Sequence, residues 1–121
     1  MIMKNIFSLL ILLSLISCGV QQNLTVSYRL NDGMTKSGVE AIMGAPIKSD
    51  FYKNVEEWFY CKTGQMSDEH LALFFYDGKL IAKKNYSVTA ADTRGIYGSC
   101  EKFIKMGNYR VPDLVVEIRN R

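Results

Sequence analysis

Metal-ligand spacings are missing from this sequence. It has a single histidine and three cysteines, none in a CxxC arrangement, so no zinc-type ligand spacing is present and no metal or other cofactor is expected. Gly33, Gly38 and Gly44 lack the Lys-Ser/Thr ending that a phosphate loop needs. There is no run of basic residues, and the net charge of +3 is too small to argue for a nucleic-acid partner. A long apolar run is also missing. Ile6 to Ile16 is eleven residues, broken only by Ser8 and Ser14, whereas a bilayer-spanning helix needs roughly 20.

What that short run does fit is the apolar core of a secretory signal peptide. Lys4 is the only charged side chain before Arg29, and small residues close the run. Leu15-Ile16-Ser17-Cys18 resembles a bacterial lipobox, in which the chain is cut just before the cysteine and the thiol becomes a diacylglyceryl thioether. The resemblance implies that Cys18 is the lipidation site, that residues 1–17 are removed, and that at least two acyl chains hold the protein on a membrane. Gly19 follows in place of the Asp that resembles an inner-membrane retention signal. The expected address is therefore the outer membrane, lipid-anchored and facing the periplasm.

Without residues 1–17 and Lys4, 104 residues and a formal charge of +2 remain. That suffices for one small domain with a modest core. Cys61 and Cys100 are left as an even pair. Behind a signal peptide the compartment is oxidising, so a disulfide is the default reading; two buried thiols are the alternative.

Residues 18–32 read as a tether, although Leu24, Val26 and Tyr28 alternate with polar residues as an edge strand would. Residues 33–88 read as the folded domain. Thr35 is an N-cap candidate, and Val39, Ile42 and Met43 share one helical face. Gly44 and Pro46 then stop the helix near residue 43. Strands are expected at 55–62, 70–76 and 79–88. Asp77-Gly78 predicts a two-residue type I′ turn between the last two. That turn pairs Tyr76 with Lys79, Phe75 with Leu80, Phe74 with Ile81 and Leu73 with Ala82. Leu71, Leu73, Phe75, Leu80 and Ala82 then share a face with Trp58 and Tyr60, under the helix. Ala72, Phe74, Tyr76 and Ile81 share the other with Phe59 and Cys61. Residues 89–121 read as a C-terminal extension, with a helix in the segment 99–108, stopped by Gly107 and stapled across the second face by Cys61–Cys100, and a short final strand near 115–118.

The string Gly33-Met34-Thr35, Val39, Gly44 with Pro46, Trp58 with Tyr60, and Phe75-Gly78-Leu80 resembles the BamE-like (SmpA/OmlA) domain of envelope lipoproteins. The match covers about residues 26–88. It implies an α+β fold, two short helices on a three-stranded antiparallel β-meander, as β-lactamase-inhibitor-like modules also have. It does not account for the Cys61–Cys100 pair or for residues 89–121.

Catalytic groups are sparse. His70 beside Asp68 and Glu69 reads as a surface residue before a strand, and the disulfide competes with any nucleophilic role for Cys61. Glu56 and Glu57 are strand neighbours and point to opposite faces. Lys83, Lys84, Lys102 and Lys105 read as solvated. The expected function is non-enzymatic: a membrane-tethered module that binds an envelope protein, in barrel assembly or envelope integrity. Tyr28, Phe51 and Tyr52, aromatics outside the expected core, are the candidate contact residues. The alternative is an inhibitor of a periplasmic or cell-wall hydrolase, acting through loop 63–69.

Overall fold

Asp77 and Gly78 both take positive φ, 51° and 73°, the requirement of a type I′ turn. They join β3 (Ser67–Tyr76) to β4 (Lys79–Thr89) in a computed structural model that describes residues 22–92, 98–106 and 109–112. Before them run β1 (Lys48–Tyr52) and β2 (Val55–Lys62). The sheet is antiparallel throughout, in the order β1-β2-β3-β4. The fold is thus α+β, but with four strands where three were expected. β1 is the addition. All five of its residues are exposed, so it carries no apolar pattern, and its turn uses Lys53 at φ +56° rather than a glycine.

Register holds for two pairs beyond the turn and then shifts. Tyr76 faces Lys79 and Phe75 faces Leu80, but Phe74 faces Ala82 and Leu73 faces Lys83. Ile81 is the extra residue of a β-bulge. Ala82 consequently moves off the expected face and packs, with Ile81, beside Val55, Phe59, Ala72 and Phe74. The bulge also sends Lys83 to the first face, where its ammonium donates to the Ser27 carbonyl at 3.0 Å.

The first face is covered by α1 (Lys36–Met43). The Thr35 hydroxyl caps it by accepting from the Gly38 N–H. Eight residues make a marginal helix alone. Val39 and Met43 are buried against Trp58, Tyr60, Leu71, Leu73, Phe75 and Leu80, and each such burial contributes about 1.5–3 kcal/mol. A 3-10 helix, Thr25–Arg29, lies in the stretch read as tether or strand, and Leu24, Val26 and Leu30 pack on the same core. Gln22 ties this entry down: its side-chain amide donates to the Ala45 carbonyl and accepts from the Cys61 N–H.

Gly44 ends α1 at φ 77°, ψ −175°, a conformation essentially restricted to glycine. Its carbonyl accepts a 2.8 Å bond from the Tyr60 hydroxyl, joining helix end to sheet. Gly44→Ala should therefore destabilise by about 1–3 kcal/mol. A urea midpoint unchanged from wild type would show that this backbone conformation is not required.

The second face is covered differently from expectation. α2 spans only Ser99–Lys102, one turn instead of the longer helix expected up to a stop at Gly107, and ends where Phe103 turns left-handed at φ 49°. That turn brings the Phe103 ring to 5.1 Å from Phe59. Tyr109 and Val111 complete the cover in irregular chain. The strand expected near 115–118 lies outside the described residues.

Candidate functional site

Cys61 and Cys100 are joined, with S–S 2.04 Å and Cα atoms 5.5 Å apart. Cys61 sits on β2 directly opposite His70 of β3. His70 is therefore not a surface residue as read from the sequence; it is 2 % exposed. Its ring stacks on Tyr86, centroids 4.7 Å apart. Its Nε2 is 3.1 Å from the Ser99 hydroxyl, which donates to Asp68 at 2.5 Å. Sequence reading missed Ser99 and Asp68 as partners because residues 31 apart meet only through the disulfide-held segment.

A serine, a histidine and an aspartate in one chain of bonds invites a catalytic reading. The proton bookkeeping opposes it. The Ser99 hydrogen goes to Asp68, so its oxygen accepts from the Nε2–H of His70. The imidazole thus donates where a general base would accept, and its lone pair lies on Nδ1, which has no hydrogen-bond partner among the described residues. Ser99 is itself buried, at 3 % exposure. Burial holds the His70 pKa below its ordinary value, against a smaller opposing effect of Asp68.

Glu56 and Glu57 do diverge. Glu56 pairs with Lys36 and accepts from the Trp58 indole on the helix side. Glu57, buried on the other side, accepts from the Tyr109 hydroxyl at 2.8 Å, with the Lys105 ammonium 3.6 Å away. Lys105 also lies over the Phe59 and Tyr109 rings, so it is not simply solvated. These contacts hold the C-terminal cover against the sheet. Burial, with Glu57 nearby, pushes the Tyr86 phenol up to about 12 and raises Tyr109 further. Burial likewise raises Tyr60.

An alkaline prediction follows from these three phenols. The folded state holds their protons more tightly than the unfolded chain, where tyrosine ionises near 10.0. Stability should be intact below that value and fall as the pH rises toward about 12. In a spectrophotometric titration, Tyr60, Tyr86 and Tyr109 should ionise together with unfolding. Their ionisation at ordinary values in a chain still folded by circular dichroism would contradict the packing.

The candidate contact residues are all exposed: Tyr28 at 78 %, Phe51 at 69 % and Tyr52 at 53 %. They do not form one patch. Tyr28 is on the 3-10 helix, which reaches β4 through the Lys83–Ser27 bond, while Phe51 and Tyr52 are on β1 at the other outer strand. Register separates the last two as well. Phe51 faces Glu56 and Tyr52 faces Val55, so they point to opposite faces of one edge. The Phe51 N–H donates to the Asp50 carboxylate at 2.8 Å. The loop before β3 is 63–66, since Ser67–Glu69 already belong to the strand, and Met66 is exposed in it. Cys18 lies outside the described residues. No helix among the described residues is long and apolar enough to cross a membrane.

These features define a class: a small α+β scaffold whose buried polar groups hold the fold together and whose outer strand presents aromatic side chains. The chain matches the outer membrane protein assembly factor BamE domain over residues 23–89, more than half its length, and it belongs to that family. No curated protein matches it.

Proposed function

We propose that this protein is an envelope lipoprotein, anchored to the outer membrane through Cys18, that works by binding an envelope protein in outer-membrane protein assembly. The family's assembly-factor description supports the process. The β1 edge carries the binding reading. It is an outer strand with every residue exposed and with one aromatic on each side of it. A partner strand laid along β1 would gain main-chain hydrogen bonds and be gripped by Phe51 on one face and Tyr52 on the other. Lys48, Asp50 and Lys53 around them keep the edge from indiscriminate pairing. Asp50, by holding the Phe51 N–H, has to yield before a partner docks. The anchor adds effective concentration, since it confines domain and partner to one surface.

Photo-crosslinking groups placed at Phe51, Tyr52 and Tyr28 of the full lipoprotein in cells test this, read by mass spectrometry. Crosslinks from 51 and 52 to an outer-membrane assembly protein are expected, with intact mass showing acylated Cys18. Phe51→Asp with Tyr52→Asp should lower capture at least tenfold. Each exposed change should shift stability by no more than about 0.5 kcal/mol. Crosslinks to a soluble hydrolase from loop 63–66, with none from β1, would replace this reading with the inhibitor one.

A further inference from the structure

Independent of the proposed docking edge, the second face holds three groups able to ligate a thiophilic cation. The two sulfurs of Cys61 and Cys100 and a ring nitrogen of His70 all lie within 4.8 Å of one another, and all three residues are buried. As a disulfide the sulfurs are poor ligands. As thiolates they bind thiophilic cations strongly. A tetrahedral zinc ion, with Zn–S about 2.3 Å and Zn–N about 2.0 Å, places its ligand atoms roughly 3.5–3.8 Å apart. The observed cluster is already within reach of that spacing, and the sulfurs need only separate once their bond is broken.

The surroundings of His70 point the same way. Its Nδ1 has no hydrogen-bond partner among the described residues although the residue is buried. A buried acceptor left unpaired is costly and calls for an explanation. Its other nitrogen is oriented by Ser99, and Ser99 by Asp68. Histidines that ligate metals have this kind of support on the nitrogen that does not bind, ending in a carboxylate. Tyr86 closes one face of the ring.

We propose that reduction of the Cys61–Cys100 bridge turns this corner into a three-ligand site, Cys61, Cys100 and His70, for a thiophilic cation, Zn(II) or Cu(I). A dithiol of the thioredoxin-like class supplies two electrons and two protons. The S–S bond breaks, two thiols form, and the donor becomes a disulfide. Each thiol then gives its proton to water as the cation binds. Cu(I) is satisfied by three ligands; Zn(II) takes a water as the fourth.

The test uses the full chain in detergent, oxidised or reduced with a phosphine. Equilibrium dialysis against Zn(II), Co(II) absorption and a colorimetric Cu(I) competitor give stoichiometry and affinity. The reduced protein should bind one equivalent, with a thiolate-to-Co(II) charge-transfer band, and the oxidised protein none. Reduced His70→Ala should bind at least tenfold more weakly, and Asp68→Asn about 10–100-fold more weakly. Thermal melts of both variants in the oxidised state confirm that they fold. Tighter binding of either ion upholds the site and names its occupant. Equal binding by wild type and His70→Ala, no difference between redox states, or a reduced chain that takes up no metal would overturn it.

Discussion

Phe75→Ala should lower the free energy of unfolding by about 3–5 kcal/mol, the range for removing a buried aromatic ring. Phe75 is 1 % exposed and its ring lies 4.6 Å from that of Trp58. It stands beside the bulge, where β3 and β4 change register, and it packs in the same cluster as Val39 and Met43. Truncation leaves a cavity bounded by a sheet on one side and by a two-turn helix on the other. The helix has little stability of its own to spend on closing that gap. Domains of this kind are stable by about 5–15 kcal/mol in all, so the loss is large. Urea unfolding followed by circular dichroism gives the value, with the slope unchanged. A loss below about 1 kcal/mol, within the range of ordinary point substitutions, would mean that the first-face core is wrongly assigned.

Removing the disulfide ranks second. Cys61→Ser with Cys100→Ser opens a bridge between residues 39 apart. The chain-entropy account gives about 3–4 kcal/mol for such a loop. At 4–8 °C per kcal/mol for a domain of this size, the melting temperature should fall by on the order of 20 °C. The damage should also be uneven. Ser99, Phe103, Lys105 and Tyr109 reach the sheet through the segment that Cys100 fixes. Amide exchange should therefore quicken first in residues 98–112 and in the β3 positions beneath them, while α1 stays protected. Uniform acceleration across both faces would show that the bridge constrains only the unfolded chain.

Local chemistry made much of this fold legible. Thr35 and Gly44 bound the helix because a hydroxyl cap and a glycine-only terminus are written in single residues. Asp77-Gly78 fixed the hairpin for the same reason. Trp58 and Tyr60 could be set against Phe59 and Cys61 because alternation along a strand is strict. What stayed hidden depended on the rest of the molecule. β1 has no apolar face, since it borrows its order from hydrogen bonds to β2. The bulge at Ile81 leaves no trace in a stretch that is apolar on both sides of it. Phe103 ends its helix early because Phe59 and the disulfide pull it back. His70 looks like a turn residue until Tyr86 and Ser99 close over it. For the candidate site, the three exposed aromatics were readable as outsiders to the core, but not that two strands separate Tyr28 from Phe51 and Tyr52.

The two hydrogen bonds of the Gln22 side chain, donated to Ala45 and accepted from Cys61, set a length. Only three residues, Gly19, Val20 and Gln21, lie between position 18 and that clasp, so the chain covers the interval in four steps. Fully stretched, they reach no more than about 14 Å. If Cys18 carries acyl chains, as proposed, the domain could not roam over the lipid surface as a ball on a long string. It would ride close in, with the end of α1 and the strand carrying Cys61 nearest the point of attachment. Few tilts would then be open to it, and a partner would have to approach from the side.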